Sequence, residues 1–175
     1  MQRISLTGPE STGKSTLAAQ LAAHFRTAYA PEYARPYLAA HGAAYALPDL
    51  EAIARGQLRL EEDAAAQATA LGQALVFCDT DLLVIKVWAE HAFGRCPPWI
   101  LEELRRPRYA LTLLPDIDLP WQPDPLREHP QLRHHFMEIY RRELRALGWP
   151  VAEISGTSAQ RLARAVRAVS EMVTW

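Results

Sequence analysis

The feature that most constrains this chain is a glycine-rich segment near its amino terminus. Residues 8–16 read Gly-Pro-Glu-Ser-Thr-Gly-Lys-Ser-Thr and fit the pattern G-x-x-x-x-G-K-[ST]. A strand-like run at residues 3–7 precedes the segment, and an apolar stripe with helical spacing through Leu17, Leu21 and Phe25 follows it. The glycines let the backbone turn so that successive N–H groups face an anion, and the helix dipole adds to the same point. The alternative is a glycine-rich turn that Ser15 or Thr16 merely caps. The strand and helix on either side favour a phosphate-binding loop.

The basic residues of the chain single out Lys14. The 19 Lys and Arg residues comprise 17 arginines and only two lysines, Lys14 and Lys86. A compact ammonium differs from a planar guanidinium in shape and hydration. In such an arginine-rich chain, a lysine at position 14 therefore indicates that the site requires one, and we expect Lys14 to reach the β- and γ-phosphates of a nucleotide.

Strand and helix patterns alternate along the whole chain. Strand-like runs fall at residues 3–7, 27–30, 74–78, 109–114 and 151–154. Helical stripes follow several of them, including a long one that starts near Pro48 and one through Leu82, Ile85 and Ala89. Short apolar strands separated by helices predict a parallel sheet covered on both faces. We therefore predict one α/β domain over residues 1–175.

Composition and charge exclude several classes of function. Apolar residues make up 49% and charged residues 22% of the 175 residues, which is ordinary for a globular protein. The net charge of −1 gives no basic footprint for nucleic acid, and no apolar run has the length of a membrane helix. Because a strand leads straight into a motif at the amino terminus, we expect no signal peptide. With Cys78 in an apolar strand and Cys96 among prolines, we expect a reduced, cytoplasmic chain.

A carboxylate at the end of the third strand is the first candidate for chemistry beside the loop. Asp79 falls where open α/β sheets bind their ligands. It could hold Mg²⁺ together with the Ser15 hydroxyl, or act as a general base. The alternative is that Asp79 or Asp81 only caps the helix that begins near Leu82.

A second acid follows the second strand, in Pro-Glu-Tyr-Ala-Arg at residues 31–35. Glu32 could accept the proton of an attacking hydroxyl while Arg35 orients that group. A phosphate acceptor would need arginines without a base, so this pairing favours a hydroxyl acceptor. The alternative is a solvated ion pair at the start of a helix.

The segment between the fourth and fifth strands predicts a mobile lid over residues 115–133. Its charged residues and its single tryptophan, Trp121, lie among five prolines, and a loop of this length is either functional or disordered. Arg127 is the first choice for a side chain that closes over the transferred phosphoryl group. The other charged candidates are Asp116, Asp118, Asp124 and Arg133.

These motifs together resemble the ribosylnicotinamide kinase domain of the NAD-salvage regulator family, in a stand-alone form. The resemblance runs over nearly the whole chain. It rests on residues 8–16, Glu-Tyr-Ala-Arg at 32–35, Cys-Asp-Thr-Asp at 78–81 with Trp88 behind it, Asp-Leu-Pro-Trp at 118–121 with Asp124 and Leu-Arg-Glu at 126–128, and Ile-Ser-Gly at 154–156 before Arg161. The family implies a P-loop nucleoside-kinase fold of three layers with strand order 2-3-1-4-5. It also implies ATP, Mg²⁺ and phosphorylation of the 5′-hydroxyl of nicotinamide riboside.

Pattern and resemblance together give a set of expected site residues. The catalytic candidates are Lys14, Glu32, Asp79 and Arg127. The ATP-binding candidates are Gly8, Pro9, Glu10, Ser11, Thr12, Gly13, Lys14, Ser15, Thr16, Arg127, Gly156 and Thr157, the last two placed near the adenine, with Ser155, by the resemblance alone. The acceptor-binding candidates are Glu32, Arg35, Gln57, Asp79, Asp81, Trp88, Trp121 and Asp124. The metal candidates are Ser15 and Asp79.

The sequence departs from the family pattern at Pro31. Bifunctional members place an aromatic residue there, just before the Glu-Tyr pair, where it can stack on the nicotinamide ring. Trp88 or Trp121 could supply a ring platform instead. The acceptor therefore stays open between nicotinamide riboside and another nucleoside or a vitamin alcohol such as thiamine. The sequence also leaves open the oligomeric state, a homo-oligomer included, and which of Glu32 and Asp79 is the base.

Two other classes of function compete with a kinase. A P-loop ATPase used as a switch or motor usually needs an arginine from a neighbouring subunit, whereas a kinase carries its own lid, and segment 115–130 favours the kinase. A binding module with a degenerate loop is disfavoured because Lys14, Ser15 and Asp79 are all present.

Overall fold

Five parallel strands form the central sheet. The structure, a computed structural model, describes residues 1–42, 44–124 and 129–172. The strands are β1 (Gln2–Leu6), β2 (Tyr29–Ala30), β3 (Leu75–Asp79), β4 (Leu111–Pro115) and β5 (Val151–Ile154). Their order is β2-β3-β1-β4-β5, and every neighbouring pair is parallel. The expected strand order 2-3-1-4-5 is confirmed.

Helices connect the strands, and local sequence explains where several of them begin. They are α1 (Lys14–Phe25), α2 (Ala34–His41), α3 (Leu47–Ala70), α4 (Leu82–Phe93), α5 (Pro98–Leu104), α6 (Arg133–Leu147) and α7 (Ser158–Met172), with a 3-10 turn at Pro130–Leu132 before α6. Asp81 caps α4, because its carboxylate accepts hydrogen bonds from the backbone N–H groups of Leu83 and Val84 at 3.0 and 3.2 Å. Pro48 lies in the first turn of α3 and Pro98 opens α5, where a missing N–H costs nothing.

Separate hydrophobic clusters bury the sheet beneath helices. Leu21 of α1 and Val169 of α7 share one cluster with residues of β1, β3 and β4. Ile53 of α3, Ile85 of α4 and Tyr140 of α6 belong to a second cluster. Strand β3 is buried along its full length, which explains why its sequence is continuously apolar instead of alternating. This is the three-layer arrangement predicted for the chain.

The parallel direction of the strands determines where the functional loops lie. Because all five strands point the same way, the segments that follow β1, β2, β3, β4 and β5 emerge at one edge of the sheet. These segments are residues 7–13, 31–33, 80–81, 116–122 and 155–157. Apart from Gln57 and Trp88, every expected site residue that the structure describes lies in one of these loops or within three residues of one.

The observed elements differ from the predicted ones mainly at their ends. Most strands begin or end one or two residues away from the predicted runs, and β5 matches its predicted run. The sequence analysis did not delimit α2, α5 or α6. In the described ranges, no helix combines the length and the apolar character needed to cross a membrane.

Candidate active site

The loop between β1 and α1 has the backbone geometry of an anion-binding cradle. Gly8 and Gly13 have φ angles of +124° and +79°, and Ser11 has +56°. A Cβ on Gly8 would lie 2.9 Å from Leu114 Cδ1, too close for a real side chain. The Thr12 hydroxyl donates to the Pro9 carbonyl at 3.0 Å and closes the loop on itself. The loop therefore favours glycine at positions 8 and 13, and it leads directly into the positive end of the α1 dipole.

The Lys14 ammonium lies folded over this loop. Its Nζ donates to the carbonyls of Gly8 and Pro9, at 2.8 Å each. Burial lowers the pKa of the Lys14 ammonium, and the carboxylates of Glu32 and Asp79 oppose that shift. A cation already held in the cradle by backbone carbonyls is placed to meet a phosphate that enters it.

Asp79 ends β3 close to the start of α1. Its side chain is buried, and within the described residues its Oδ1 has no hydrogen-bond partner. Burial raises the pKa of the Asp79 carboxyl, while the Ser15 hydroxyl and the Lys14 ammonium act to lower it. A buried carboxylate oxygen beside a serine hydroxyl is a pair of oxygen ligands that suits a hard divalent cation.

Glu32, Arg35 and Asp124, three of the residues expected to bind an acceptor, come together. The Arg35 guanidinium contacts the Asp124 carboxylate at 3.0 Å and the Glu32 carboxylate at 3.8 Å. Arg35 and Asp124 thus meet although they lie 89 positions apart in the sequence. Arg35 thus lies between two carboxylates. Its contact with Glu32 is too long for a bidentate ion pair, so it orients the Glu32 carboxylate without neutralising its charge.

Two of the predicted acceptor residues have structural contacts instead of cavity contacts. The Gln57 side chain is buried and bonds to the backbone of Pro31, Tyr33 and Asp79, so it fixes the loop after β2 against the end of β3. Asp81 is fully buried as the cap of α4, and burial raises the pKa of its carboxyl to about 6. Neither side chain lines the cavity.

A cavity of about 630 Å³ extends from the phosphate loop past Glu32 and Arg35 to an aromatic end. Trp88, predicted to bind the acceptor, lines this end, and Tyr45, which the sequence analysis missed, lies beside it. The aromatic end is lined by Leu38, Tyr45, Val87, Trp88, Phe136 and Tyr140. Trp121 is not part of the wall. Pockets for small molecules have this combination of mostly apolar walls and a few polar groups.

Arg161, quoted only within the family resemblance, joins three of the edge loops. Its guanidinium is buried and donates to the carbonyls of Thr12 at 2.6 Å, Asp116 at 2.7 Å and Gly156 at 2.9 Å. The same guanidinium pairs with the Asp118 carboxylate. One side chain therefore fixes the phosphate loop, the segment after β4 and the loop after β5 relative to each other.

The three residues expected near an adenine, Ser155, Gly156 and Thr157, lie in the loop after β5. The Gly156 N–H donates to the Asp118 carboxylate at 2.5 Å, and the Thr157 N–H donates to the Gln160 side chain at 2.9 Å. Thr157 is exposed, and Ser158, which follows it, lines the cavity. The loop thus lies beside the phosphate cradle, at its Arg161 side.

The segment after β4 lies against the phosphate loop. The Gln122 N–H donates to the Ser11 hydroxyl at 2.9 Å. The Arg133 guanidinium donates to the carbonyls of Ser11 and Leu119, at 3.0 Å each, and lies 6.0 Å from the centre of the Trp121 ring. Arg127, the predicted closing arginine, lies outside the described residues, in the gap at 125–128.

Comparisons with known proteins agree with this architecture. A family model described as AAA domain matches residues 3–161. The trifunctional NAD biosynthesis/regulator protein NadR of Escherichia coli (strain K12) is 32% identical over 131 residues, which are 73% of this chain and 31% of that protein. The NadR protein of Salmonella typhimurium (strain LT2) matches with the same identity and coverage. The chain thus spans about a third of the length of these curated relatives.

Solved structures give the same fold. A crystal structure of NadR protein in complex with NR has a TM-score of 0.82 at 23% identity and covers 99% of this chain and 51% of that one. A crystal structure of NadR protein in complex with NAD and AMP-PNP has a TM-score of 0.73 at 26% identity, with coverages of 98% and 49%. Deoxyadenosine kinase from M. mycoides with bound dCTP has a TM-score of 0.52 at 10% identity, with coverages of 97% and 100%.

Proposed function

This chain belongs to the AAA domain family, and on that premise we propose that it is an ATP-dependent kinase that phosphorylates the 5′-hydroxyl of nicotinamide riboside. The product would be nicotinamide mononucleotide, as in salvage of NAD. One observation carries the proposal: the phosphate loop and the acid Glu32 line the same cavity, which ends in aromatic side chains. The NadR relatives are named for NAD biosynthesis, and similar NadR structures hold NR, the abbreviation of nicotinamide riboside, or AMP-PNP, an ATP analogue.

The nucleotide end of the site is assigned to the loop between β1 and α1. Its backbone and Lys14 would hold the β- and γ-phosphates, and Lys14 would move from the Gly8 and Pro9 carbonyls onto the phosphate oxygens. Gly156 and Thr157 would border the adenine. The segment at residues 115–133 would act as the lid, with Arg127 as its proposed contact to the transferred phosphoryl group.

Mg²⁺ fits the residues beside the loop. The Ser15 hydroxyl and the Asp79 carboxylate would hold it, and Asp79 offers a buried oxygen that no described residue engages. Within the described ranges, no three His, Cys, Asp or Glu side chains cluster as a metal site, so phosphate and water oxygens would complete the shell. When bound, the ion would neutralise charge on the phosphates.

Glu32 is the better candidate for the general base. It lines the cavity, whereas Asp79 does not, and Asp79 is directed to Ser15 and Lys14. Glu32 would accept the proton of the acceptor hydroxyl as the phosphoryl group transfers. Arg35 and Asp124 would position the ribose at the mouth of the site.

A cytoplasmic location is also proposed, since both cysteines are free thiols.

Arg161→Ala should raise the KM for ATP by about tenfold and lower the unfolding free energy. The substitution leaves carbonyls of Thr12, Asp116 and Gly156 without their donor, at about 1–3 kcal/mol for each carbonyl that stays buried and unpaired. Arg161→Lys should be intermediate, because it retains the charge but loses the planar fork. Steady-state kinetics and thermal unfolding check both effects. Arg167→Ala, an exposed arginine of the same helix, is the control, and equal behaviour of the two alanine variants would refute the joining role.

The acceptor is tested with a substrate panel under saturating ATP-Mg²⁺. We expect the kcat/KM for nicotinamide riboside to exceed those for adenosine, uridine and thiamine by about tenfold or more, which corresponds to about 1.4 kcal/mol of discrimination. Lys14→Ala protein purified in parallel reports any contaminating kinase. A value for nicotinamide riboside no better than for ordinary nucleosides would overturn this acceptor and leave the kinase class standing.

A further inference from the structure

The proposed base, Glu32, lies just beyond the sheet, in the loop that follows β2. Strand β2 pairs with β3 at Tyr29 and Ala30 and ends there, two residues before Glu32. Asp79, by contrast, is paired with Leu6 at the end of β3. The place of the Glu32 carboxylate therefore depends on contacts from another element, whereas that of Asp79 is set within the sheet.

Gln57 of α3 supplies such contacts on both sides of Glu32. Its side-chain oxygen accepts the Tyr33 N–H at 2.8 Å, and its amide N–H group donates to the Pro31 carbonyl at 3.3 Å. The same N–H group lies 3.4 Å from the Asp79 carbonyl, to which it also donates. One buried side chain thus ties the residue before Glu32 and the residue after it to the helix.

Gly56, the preceding residue of α3, gives the same segment a surface to pack on. It is buried in the interior of the helix, where glycine is less favourable than alanine. A Cβ on Gly56 would lie 2.0 Å from Cε1 and 2.2 Å from Cδ1 of the Tyr33 ring. The ring therefore occupies the volume that a side chain would fill, and close packing explains the glycine where helix propensity does not.

The contacts to Tyr33 also set the start of α2. Tyr33 is the residue that precedes the first turn of this helix, and its carbonyl accepts the Tyr37 N–H at 3.2 Å. Arg35, which contacts the Glu32 carboxylate at 3.8 Å, lies in that turn. Helix α3 thus fixes both the backbone that carries Glu32 and the arginine that orients it.

We infer that Gln57 and Gly56 are positioning residues of the kinase reaction, which hold residues 31–33 so that the Glu32 carboxylate meets the acceptor hydroxyl. The inference rests on the proposed function and on Glu32 as its base. Neither residue is part of the described cavity wall, so both act through Glu32 and not by contact with a substrate. A reacting group displaced by about 1 Å can cost about 10²-fold in rate.

Gln57→Leu tests the hydrogen bonds, because it keeps the size of the side chain and removes both bonding groups. The kcat with saturating ATP-Mg²⁺ and nicotinamide riboside should fall by about 10- to 100-fold. The Mg²⁺ concentration for half-maximal rate should not change, since the sheet holds Asp79. Exchange of the Tyr33 amide hydrogen should become about 2- to 13-fold faster. Gln67→Leu, an exposed glutamine of the same helix, is the matched control and should leave kcat and this exchange as in the wild-type protein.

A double-mutant cycle with Glu32→Gln separates positioning from a general loss of structure. In the Glu32→Gln background the base is already absent, so adding Gln57→Leu should lower kcat by no more than about twofold. The same loss in both backgrounds would make Gln57 a structural residue only and overturn the inference. Wild-type kcat in a folded Gln57→Leu variant would overturn it too.

Gly56→Ala tests the packing and replaces Gln57→Leu in the cycle should that variant fail to fold. It should lower kcat by displacing the Tyr33 ring, and it should have no further effect in a Tyr33→Ala background, where the ring is gone. Wild-type kcat in Gly56→Ala would contradict the role of Gly56. Wild-type kcat in Glu32→Gln would refute the base and with it the inference, whereas a wild-type protein that forms no phosphorylated product would refute the proposed function itself.

Discussion

Lys14→Ala should lower kcat by about 10²–10³-fold or more and leave the fold intact. The magnitude is that of losing one preorganised contact to charge that develops in a transition state. Lys14 Nζ is held within the phosphate loop by two carbonyls at 2.8 Å, and Lys14 is not a member of the hydrophobic clusters described above. The loss should therefore appear in turnover and not in the unfolding temperature.

Lys86→Ala is the matched control, since Lys86 is the second of the two lysines and bridges Glu90 and Glu143. It should retain wild-type turnover even if its stability falls. Circular dichroism, thermal unfolding and initial rates at saturating ATP separate the two variants. A folded Lys14→Ala protein with near-wild-type kcat would refute the assignment of residues 8–16 as the phosphate cradle.

Asp79→Asn should retain ATP binding but lower turnover by about 10²-fold or more, on the scale of losing one electrostatic contact in the reaction centre. An amide of the same shape keeps the packing at the end of β3 but offers weaker coordination to Mg²⁺ and accepts no proton. We expect the Mg²⁺ concentration for half-maximal rate to rise, because the proposal gives Asp79 to the metal and not to the acceptor proton.

The two roles of Asp79 are separated by repeating the titration with Glu32→Gln. That variant should lower kcat at an unchanged Mg²⁺ requirement, because Glu32 is the proposed base. The reverse pattern, with a metal shift in Glu32→Gln and none in Asp79→Asn, would exchange the two roles. Wild-type turnover in Asp79→Asn would make Asp79 a structural residue only.

The sequence predicted the frame of the molecule because the frame depends on local signals. The phosphate loop needs positive φ angles at Gly8 and Gly13, and only glycine adopts them without strain, so the motif is visible in the sequence. A buried parallel strand reads as a continuous apolar run, which located β3 within one residue. The strand order came from the family resemblance and not from periodicity.

Residues that act across long sequence distances were harder to predict. Arg161 reaches Thr12 across 149 positions, so no local pattern assigns its partners. One signal in the sequence was usable. Arg161 lies four residues before Ala165 and eight before Val169, on the buried stripe of α7. A buried arginine must have hydrogen-bond partners, so its place on this stripe indicates a structural role. Tyr45 lies in an irregular segment where periodicity gives no information.

The structure brings together some, but not all, of the residues expected to bind an acceptor. Glu32, Arg35 and Asp124 do come together, and Trp88 lines the cavity. Gln57 and Asp81 were also expected to bind the acceptor, but their side chains bond to backbone groups at the ends of strands and helices. A polar residue beside a site is often used to build its walls, and sequence alone does not separate the two uses.

The central claim is transfer of a phosphoryl group to an acceptor hydroxyl, and product analysis tests it most directly. The protein is incubated with ATP-Mg²⁺ and nicotinamide riboside, with Lys14→Ala protein as the blank, and the products are resolved by ³¹P NMR and mass spectrometry. We predict a phosphate monoester on the 5′-oxygen, formed in equal amount with ADP, and little ADP when the acceptor is omitted. Release of inorganic phosphate with the riboside unchanged would contradict the account and make the protein an ATPase.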